Sequence, residues 1–194
     1  MDIEYIKENY RFETLNGKQD LSDFKCESDD LTDFLKDDAL TQQKSKLSLT
    51  KLVMCDDTVV GYVSLLTDTI LLKDIRDADT KHDIKDQLNI TSKKRKLPAI
   101  KIGRLALDDK YAHKGLGSEI LMGILFNVKN IAENNVGLRF VTVEGYAGAY
   151  NFYTRNNFIN LKKDDEKIKE KLDIIIEKDP EKTFYLYLDL RVLE

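Results

Sequence analysis

Apolar residues along the chain switch between two spacings, and the switches mark its elements. Ser28 is followed by Asp29 and Asp30, then by Leu31, Phe34, Leu35 and Ala39 at helical spacing. A serine cap with acids in the electropositive first turn predicts a helix from Ser28 that fades near Lys44. Residues 47–55 (LSLTKLVMC) are rich in β-formers, Asp56 and Asp57 supply a turn, and 59–72 (VVGYVSLLTDTILL) follow. This predicts a hairpin with a long second strand. Residues 73–96 are polar, with a short helix expected around 83–88, and end in the basic run Lys93-Lys94-Arg95-Lys96. That run reads either as a solvated loop or as a contact for the phosphates of a ligand or an RNA.

The second half alternates more regularly. Residues 98–107 (PAIKIGRLAL) predict a strand and 108–114 a turn. A strong amphipathic helix begins near Gly115, with Leu116, Ile120, Leu121, Ile124, Leu125, Val128 and Ala132 on one face and Asn134, Asn135 and Gly137 as its stop. A strand at 138–144, a short helix at 147–155 and a strand opening at Phe158 come next. The charged segment 162–182 offers the core only Leu172, Ile175 and Ile176. Residues 183–193 (TFYLYLDLRVL) predict the last strand. Strands and helices alternating in this order predict a single α/β domain over 1–194, a mixed sheet flanked by helices, with polar insertions at about 73–96 and 162–182.

At 194 residues the chain is long enough for one self-sufficient core. It is 42% apolar and 34% charged, with a formal charge of -4. An acidic balance argues against coating nucleic acid or an anionic membrane, where a basic domain is the footprint. No apolar run approaches the ~18 residues that span a bilayer, and the N-terminus lacks a basic segment followed by an apolar run. Cys26 and Cys55 have no second Cys or His at metal-ligand spacing. They read as reduced, partly buried thiols of a cytoplasmic protein, with no metal site expected.

The chemistry concentrates in 105–118 (LALDDKYAHKGLGS), a strand, a tight turn and a helix start. The first N–H groups of a helix lack intrahelical partners and carry partial positive charge, and Gly115 and Gly117 lack the Cβ atoms that would hold an anion away. The segment is thus either a phosphate cradle or an ordinary turn. A dinucleotide fingerprint would need glycine where Ile120 stands, and a nucleotide-triphosphatase loop would need Gly-Lys-Ser/Thr; neither occurs.

Ala112-His113-Lys114-Gly115-Leu116-Gly117 resembles the acetyl-CoA signature Arg/Gln-x-x-Gly-x-Gly/Ala of the GNAT superfamily of N-acetyltransferases, with Ala112 in place of Arg or Gln. Residues 58–63 (TVVGYV) are similar to that family's central hairpin strand. Residues 149–158 (AYNFYTRNNF) resemble its A-x-x-F-Y-x-x-x-G-F segment, with Asn157 in the glycine position, a substitution a left-handed turn tolerates. Leu31-x-x-Phe34-Leu35 with Ala39, then Gly61-Tyr62, then 103–107 (GRLAL) are similar to the GNAT toxins of bacterial toxin–antitoxin pairs, which acetylate the amino group of aminoacyl-tRNA.

The resemblance implies a GNAT-like, mostly antiparallel sheet and acetyl-CoA as co-substrate. The backbones of Leu105, Ala106 and Leu107 would pair with the pantetheine arm, residues His113, Lys114, Gly115, Leu116, Gly117 and Ser118 would hold the pyrophosphate, and Asn151 would touch the pantetheine amide. Tyr153 would protonate the departing thiolate, a task suited to a phenol that keeps its proton at pH 7. Glu144 is the best carboxylate for a general base, with a solvated strand-end Glu as the other reading; His82 and His113 are poorly placed for that work. Arg104, a cation in an apolar strand, calls for an anionic or carbonyl partner, either substrate or a structural ion pair.

Three functions follow. The first is an acetyl-CoA-dependent N-acetyltransferase acting on a small-molecule, peptide or aminoacyl-tRNA amine. The second is a toxin acetylating aminoacyl-tRNA, with an antitoxin protein as partner. The third is an acyl-CoA-binding module without turnover. A homodimer is common in the family; a membrane partner is not expected.

Overall fold

The computed structural model describes residues 1–88, 95–161 and 165–193. Its strands are β1 (Arg11–Thr14), β2 (Leu49–Cys55), β3 (Thr58–Leu71), β4 (Lys96–Leu107), β5 (Phe140–Tyr146), β6 (Ile159–Asn160) and β7 (Thr183–Asp189). They form one seven-stranded sheet in the order β1-β2-β3-β4-β5-β7-β6, and each pairing of described register is antiparallel. The α/β architecture with a mostly antiparallel sheet agrees with the sequence expectation.

The chain divides into two compact units. One comprises Met1–Thr67 and Ile102–Ile124, the other Asp68–Lys101 and Leu125–Glu194. The first opens with two elements that the apolar pattern had not marked, α1 (Ile3–Asn9), capped by the Asp2 side chain, and β1. The expected helix from Ser28 exists but is not uniform. Ser28 caps α2 (Asp29–Asp33), a π-turn follows at Phe34–Asp38, and α3 (Ala39–Lys44) completes it. In the π-turn the Ala39 N–H reaches back to the Phe34 carbonyl. The residue so accommodated lets neighbouring Phe34 and Leu35 both enter the core, at 2% and 1% exposure. There they meet Leu15, Phe24, Leu52, Met54 and Tyr62. The buried Tyr62 hydroxyl donates to the Leu31 carbonyl at 2.7 Å, tying α2 to the hairpin. Cys26 and Cys55 are free and buried.

In the second unit, α4 (Ala78–Leu88) starts five residues before the expected short helix. The Asp77 side chain accepts the Thr80 N–H at 2.6 Å, a cap that starts the helix early. Of the basic run, Lys93 and Lys94 lie outside the described residues, while the Arg95 carbonyl accepts the Leu72 N–H at 2.9 Å. Ile70, Leu72, Ile75, Ile84, Phe140 and Tyr187 form this unit's core. The long helix α5 (Leu116–Asn134) begins in the first unit and ends in the second. After β5 come a single 3-10 turn (Ala147–Ala149), α6 (Tyr150–Arg155) and β6. The charged segment forms α7 (Asp165–Lys169) and α8 (Leu172–Lys178), with Lys162, Lys163 and Asp164 outside the described residues. Leu172 is buried and Ile175 and Ile176 half-buried. The last strand stops at Asp189, where Leu190–Leu193 tightens into a 3-10 turn. Among the described residues no helix is long and apolar enough to cross a membrane.

Candidate functional site

In the first unit the glycine turn hangs from one buried carboxylate. Asp108, 3% exposed, accepts the Lys110 N–H at 3.0 Å and the Lys25 N–H at 3.2 Å, while its own N–H donates to the Val60 carbonyl at 3.0 Å. Its carbonyl accepts the N–H groups of Tyr111 and Ala112. An aspartate that ties its own turn and a distant segment fixes the exit of β4. Sequence reading placed Asp108 in the turn but gave it no such role; an aspartate just past a strand and two residues before a lysine is the signal of an Asx turn.

Beyond this anchor the backbone turns left-handed at His113 (φ 57) and again at Gly115 (φ 81). Left-handed residues near a helix start are the backbone pattern from which anion-binding N–H nests are built, and open space surrounds the position a Gly115 Cβ would take. Leu116 is fully buried and seats the first turn of α5, with Ile120, Leu121 and Ile124 beneath it. His113, Lys114, Gly115 and Ser118 are exposed. The His113 Nε2 lies 2.6 Å from Glu27 Oε1, and the Lys114 ammonium donates to the Lys110 carbonyl at 2.6 Å. Of the residues expected to hold a pyrophosphate, His113, Lys114, Gly115 and Ser118 face outward, Gly117 is half-buried and Leu116 is turned into the core, and a glycine-opened helix start suits that anion.

The strand leading into the turn is shaped by a second glycine. A Cβ on Gly61 would stand 2.7 Å from both the Ala106 carbonyl oxygen and Leu107 Cδ2. Only glycine lets β3 lie this close to the end of β4. Two residues earlier, the Arg104 guanidinium lies 3.9 Å above the Phe34 ring. Its Nε is buried without a hydrogen-bond partner, and Arg104 makes no ion pair among the described residues. Of the two partners expected for it, the structural ion pair is not seen among the described residues, and the aromatic face takes part of that role.

The second unit holds Glu144, Asn151 and Tyr153. Tyr153 is buried, its ring centroid 5.0 Å from that of Phe152 and 5.5 Å from that of Phe158, both edge-on. The Asn156 and Phe158 N–H groups donate to its carbonyl, a closure made with Asn157 left-handed at φ 66, as its place in the motif implies. Among the described residues the Tyr153 hydroxyl has no hydrogen-bond partner. Burial pushes its phenol above the usual tyrosine range. A Cβ on Gly145 would come within 3.0 and 3.1 Å of the Tyr153 ring. Gly145→Ala is therefore expected to keep the fold while moving that ring by a few tenths of an ångström. Near-ultraviolet circular dichroism would read the shift, and a spectrum equal to wild type would contradict it.

Along β5, Val141, Val143 and Gly145 alternate with Thr142 and Glu144, so Glu144 projects from the face opposite Tyr153. The Glu144 carboxylate accepts the Lys101 ammonium at 2.9 Å and the Thr183 hydroxyl at 3.3 Å. The hydrogen bond from Lys101 holds that carboxyl below its ordinary range, the wrong direction for a strong base. On the same face, one oxygen of Asp68 accepts both the Thr142 hydroxyl, at 2.6 Å, and the Tyr185 hydroxyl. This polar cluster was not legible in the sequence, because β3, β5 and β7 contribute one member each. Asn151 is exposed on α6. Among the described residues no group of three or more His, Cys, Asp or Glu is placed to hold a metal ion.

No protein-family model and no curated protein matches this sequence. Solved structures do. The chain is similar to the protein AtaT complexed with acetyl-methionyl-tRNAfMet, at 19% identity and a TM-score of 0.74, over 95% of this chain and 97% of that one. A tyrosine-to-phenylalanine mutant of KacT gives the same figures. A tyrosine-to-phenylalanine mutant of the AtaT toxin, bound to the C-terminus of the antitoxin AtaR and to acetyl-CoA, follows at 20% identity and 0.66, over 96% of each chain. Over nearly its whole length, then, this chain has the fold of AtaT and KacT, the GNAT-like fold that its motifs imply.

Proposed function

We propose that the chain is an acetyl-CoA-dependent N-acetyltransferase that passes an acetyl group directly to an amine, and that the acceptor is the amino group of an aminoacyl-tRNA. The observation that carries the reading is the left-handed turn through His113 and Gly115 into α5, a glycine-lined backbone cradle hung from buried Asp108. The backbones of Leu105 to Leu107 and the turn from His113 to Ser118 hold the co-substrate, and Asn151 adds an amide contact. Acetyl-CoA supplies a thioester, an acyl carbon already activated toward a neutral amine. Tyr153, kept protonated by burial, donates its proton to the leaving sulfur, and the proton shed by the acylated amine returns the balance through water. Arg104, whose buried Nε has no hydrogen-bond partner among the described residues, turns toward a carbonyl or phosphate of the acceptor.

The aminoacyl-tRNA acceptor is favoured by the likeness to AtaT in a complex with acetyl-methionyl-tRNAfMet, and an antitoxin partner by the likeness to the AtaR-bound toxin. Expression is then expected to arrest growth, with Tyr153→Phe relieving the arrest. The chain mixed with acetyl-CoA and charged tRNA is expected to release free thiol in proportion to the aminoacyl ends present. Thiol release that requires a different amine would move the acceptor, and no release with any amine, peptide or charged tRNA would leave the acyl-CoA-binding module as the reading.

A further inference from the structure

Between β6 and β7, α7 and α8 border a cleft of about 510 Å³. Arg76, Lys167, Lys171 and Lys182 line it, and among the described residues no carboxylate does. Its floor is Ile168, Ile175 and Phe184. An adjoining hollow of about 390 Å³ shares Lys171 and Lys182, adds Lys178, and has Asp179 as its one acid among the described residues. Lys167, Lys171 and Lys182 are exposed and make no ion pair with any described residue. Lys167, Lys171, Lys178 and Lys182 line the two hollows with Asp179 as the one acid among the described lining residues, a lining that suits an anion.

We infer that this groove holds consecutive phosphates of an RNA, the acceptor tRNA itself, an assignment that rests on the aminoacyl-tRNA reading above. Cations lining two hollows that share Lys171 and Lys182 match a chain of phosphates better than one isolated anion. Of the floor, half-buried Ile175 is the apolar surface that a ribose or base edge can cover. A flat bilayer would not reach that floor, since Ile168 is 5% and Phe184 4% exposed. Phe184 also pairs directly with Gly145 across β5 and β7. Residues directly opposed in a sheet project from the same face, so the groove opens beside the ring of Tyr153, which rests against Gly145.

The test is binding of fluorescein-labelled, uncharged tRNA to the full chain without acetyl-CoA, followed by anisotropy across a salt series. Each phosphate contact contributes roughly 0.7 to 0.9 to the slope of log affinity against log salt. The double variant Lys167→Glu, Lys171→Glu is expected to lower that slope by about two and to weaken binding on the order of tenfold at moderate salt. Lys18→Glu, at an exposed position of the other unit, is expected to change neither. Both replaced lysines are exposed, so an unchanged melting temperature is expected of the double variant. A slope equal to wild type in the double variant would overturn the assignment. So would loss of binding to free adenosine monophosphate with the tRNA slope intact, which would make the groove a small-nucleotide site. If the double variant still acetylates charged tRNA normally with its slope unaltered, the groove fails and the acceptor reading stands. If the wild-type chain binds no tRNA yet acetylates another amine, both fail.

Discussion

Tyr153→Phe is expected to lower acetyl transfer by about 10²- to 10⁴-fold, the usual worth of a positioned general acid, while acetyl-CoA binding and melting temperature stay near wild type. The reason is local. The ring keeps its contacts with Phe152 and Phe158 and its seat against Gly145, because only the hydroxyl is removed and that hydroxyl has no hydrogen-bond partner among the described residues. A packing role would leave the rate untouched by this substitution. Burial also sets an expected pH profile. Since the phenol is held above the ordinary tyrosine range near 10, its proton remains in place throughout the neutral and mildly alkaline region. The rate is therefore expected to show no fall from Tyr153 ionisation up to about pH 10. A single-turnover rate within threefold of wild type for Tyr153→Phe would remove the acid assignment.

Arg139→Leu is expected to give the largest loss of stability. The Arg139 guanidinium donates to Asp189 at 2.8 and 3.1 Å and to Asp83 at 2.9 Å, and Arg191 joins Asp83 at 2.8 Å. Asp189 has a side chain only 8% exposed, so removing the guanidinium leaves a nearly buried carboxylate without its charge partner. Such a loss costs about 3 kcal/mol, or roughly 6 to 12 °C of melting temperature for a chain of this size. The pH dependence follows from Asp83, whose carboxyl is held down chiefly by its hydrogen bond with Arg139. A lowered folded-state pKa means that the unfolded chain binds more protons in acid. The stabilisation is therefore complete above the ordinary carboxylate range near pH 4 and is lost as pH falls through the lower folded value. The gap between wild type and variant is expected to narrow below about pH 4. Equal melting temperatures at pH 7 would show the cluster to be ornamental.

What the sequence disclosed was local, and what it concealed was assembled from afar. Ser28 as a cap, the turn at Asp56 and Asp57, and the left-handed backbone at Asn157 depend on neighbouring residues, and each was legible. The π-turn at Phe34–Asp38 was not, because periodicity near 3.6 registers Phe34 and Leu35 as helical whichever carbonyl the next N–H finds. The early start of α4 escaped because its apolar content is low and only the Asp77 cap marks it. In the candidate site the glycine turn could be named from its motif, yet its suspension from Asp108 depends on Lys25 and Val60, far away along the chain. Arg104 illustrates the same limit. An unpaired cation in a strand announces that it needs a partner, but nothing near it in sequence indicates Phe34.

The measurement that bears most directly on the central claim is transfer of radiolabelled acetyl from acetyl-CoA to a defined aminoacyl-tRNA by the purified chain. The expected result is label in an amide on the aminoacyl end, accumulating over many turnovers and nearly absent with Tyr153→Phe. Stoichiometric retention of acetyl-CoA, with no label on charged tRNA or on any other amine, would contradict it.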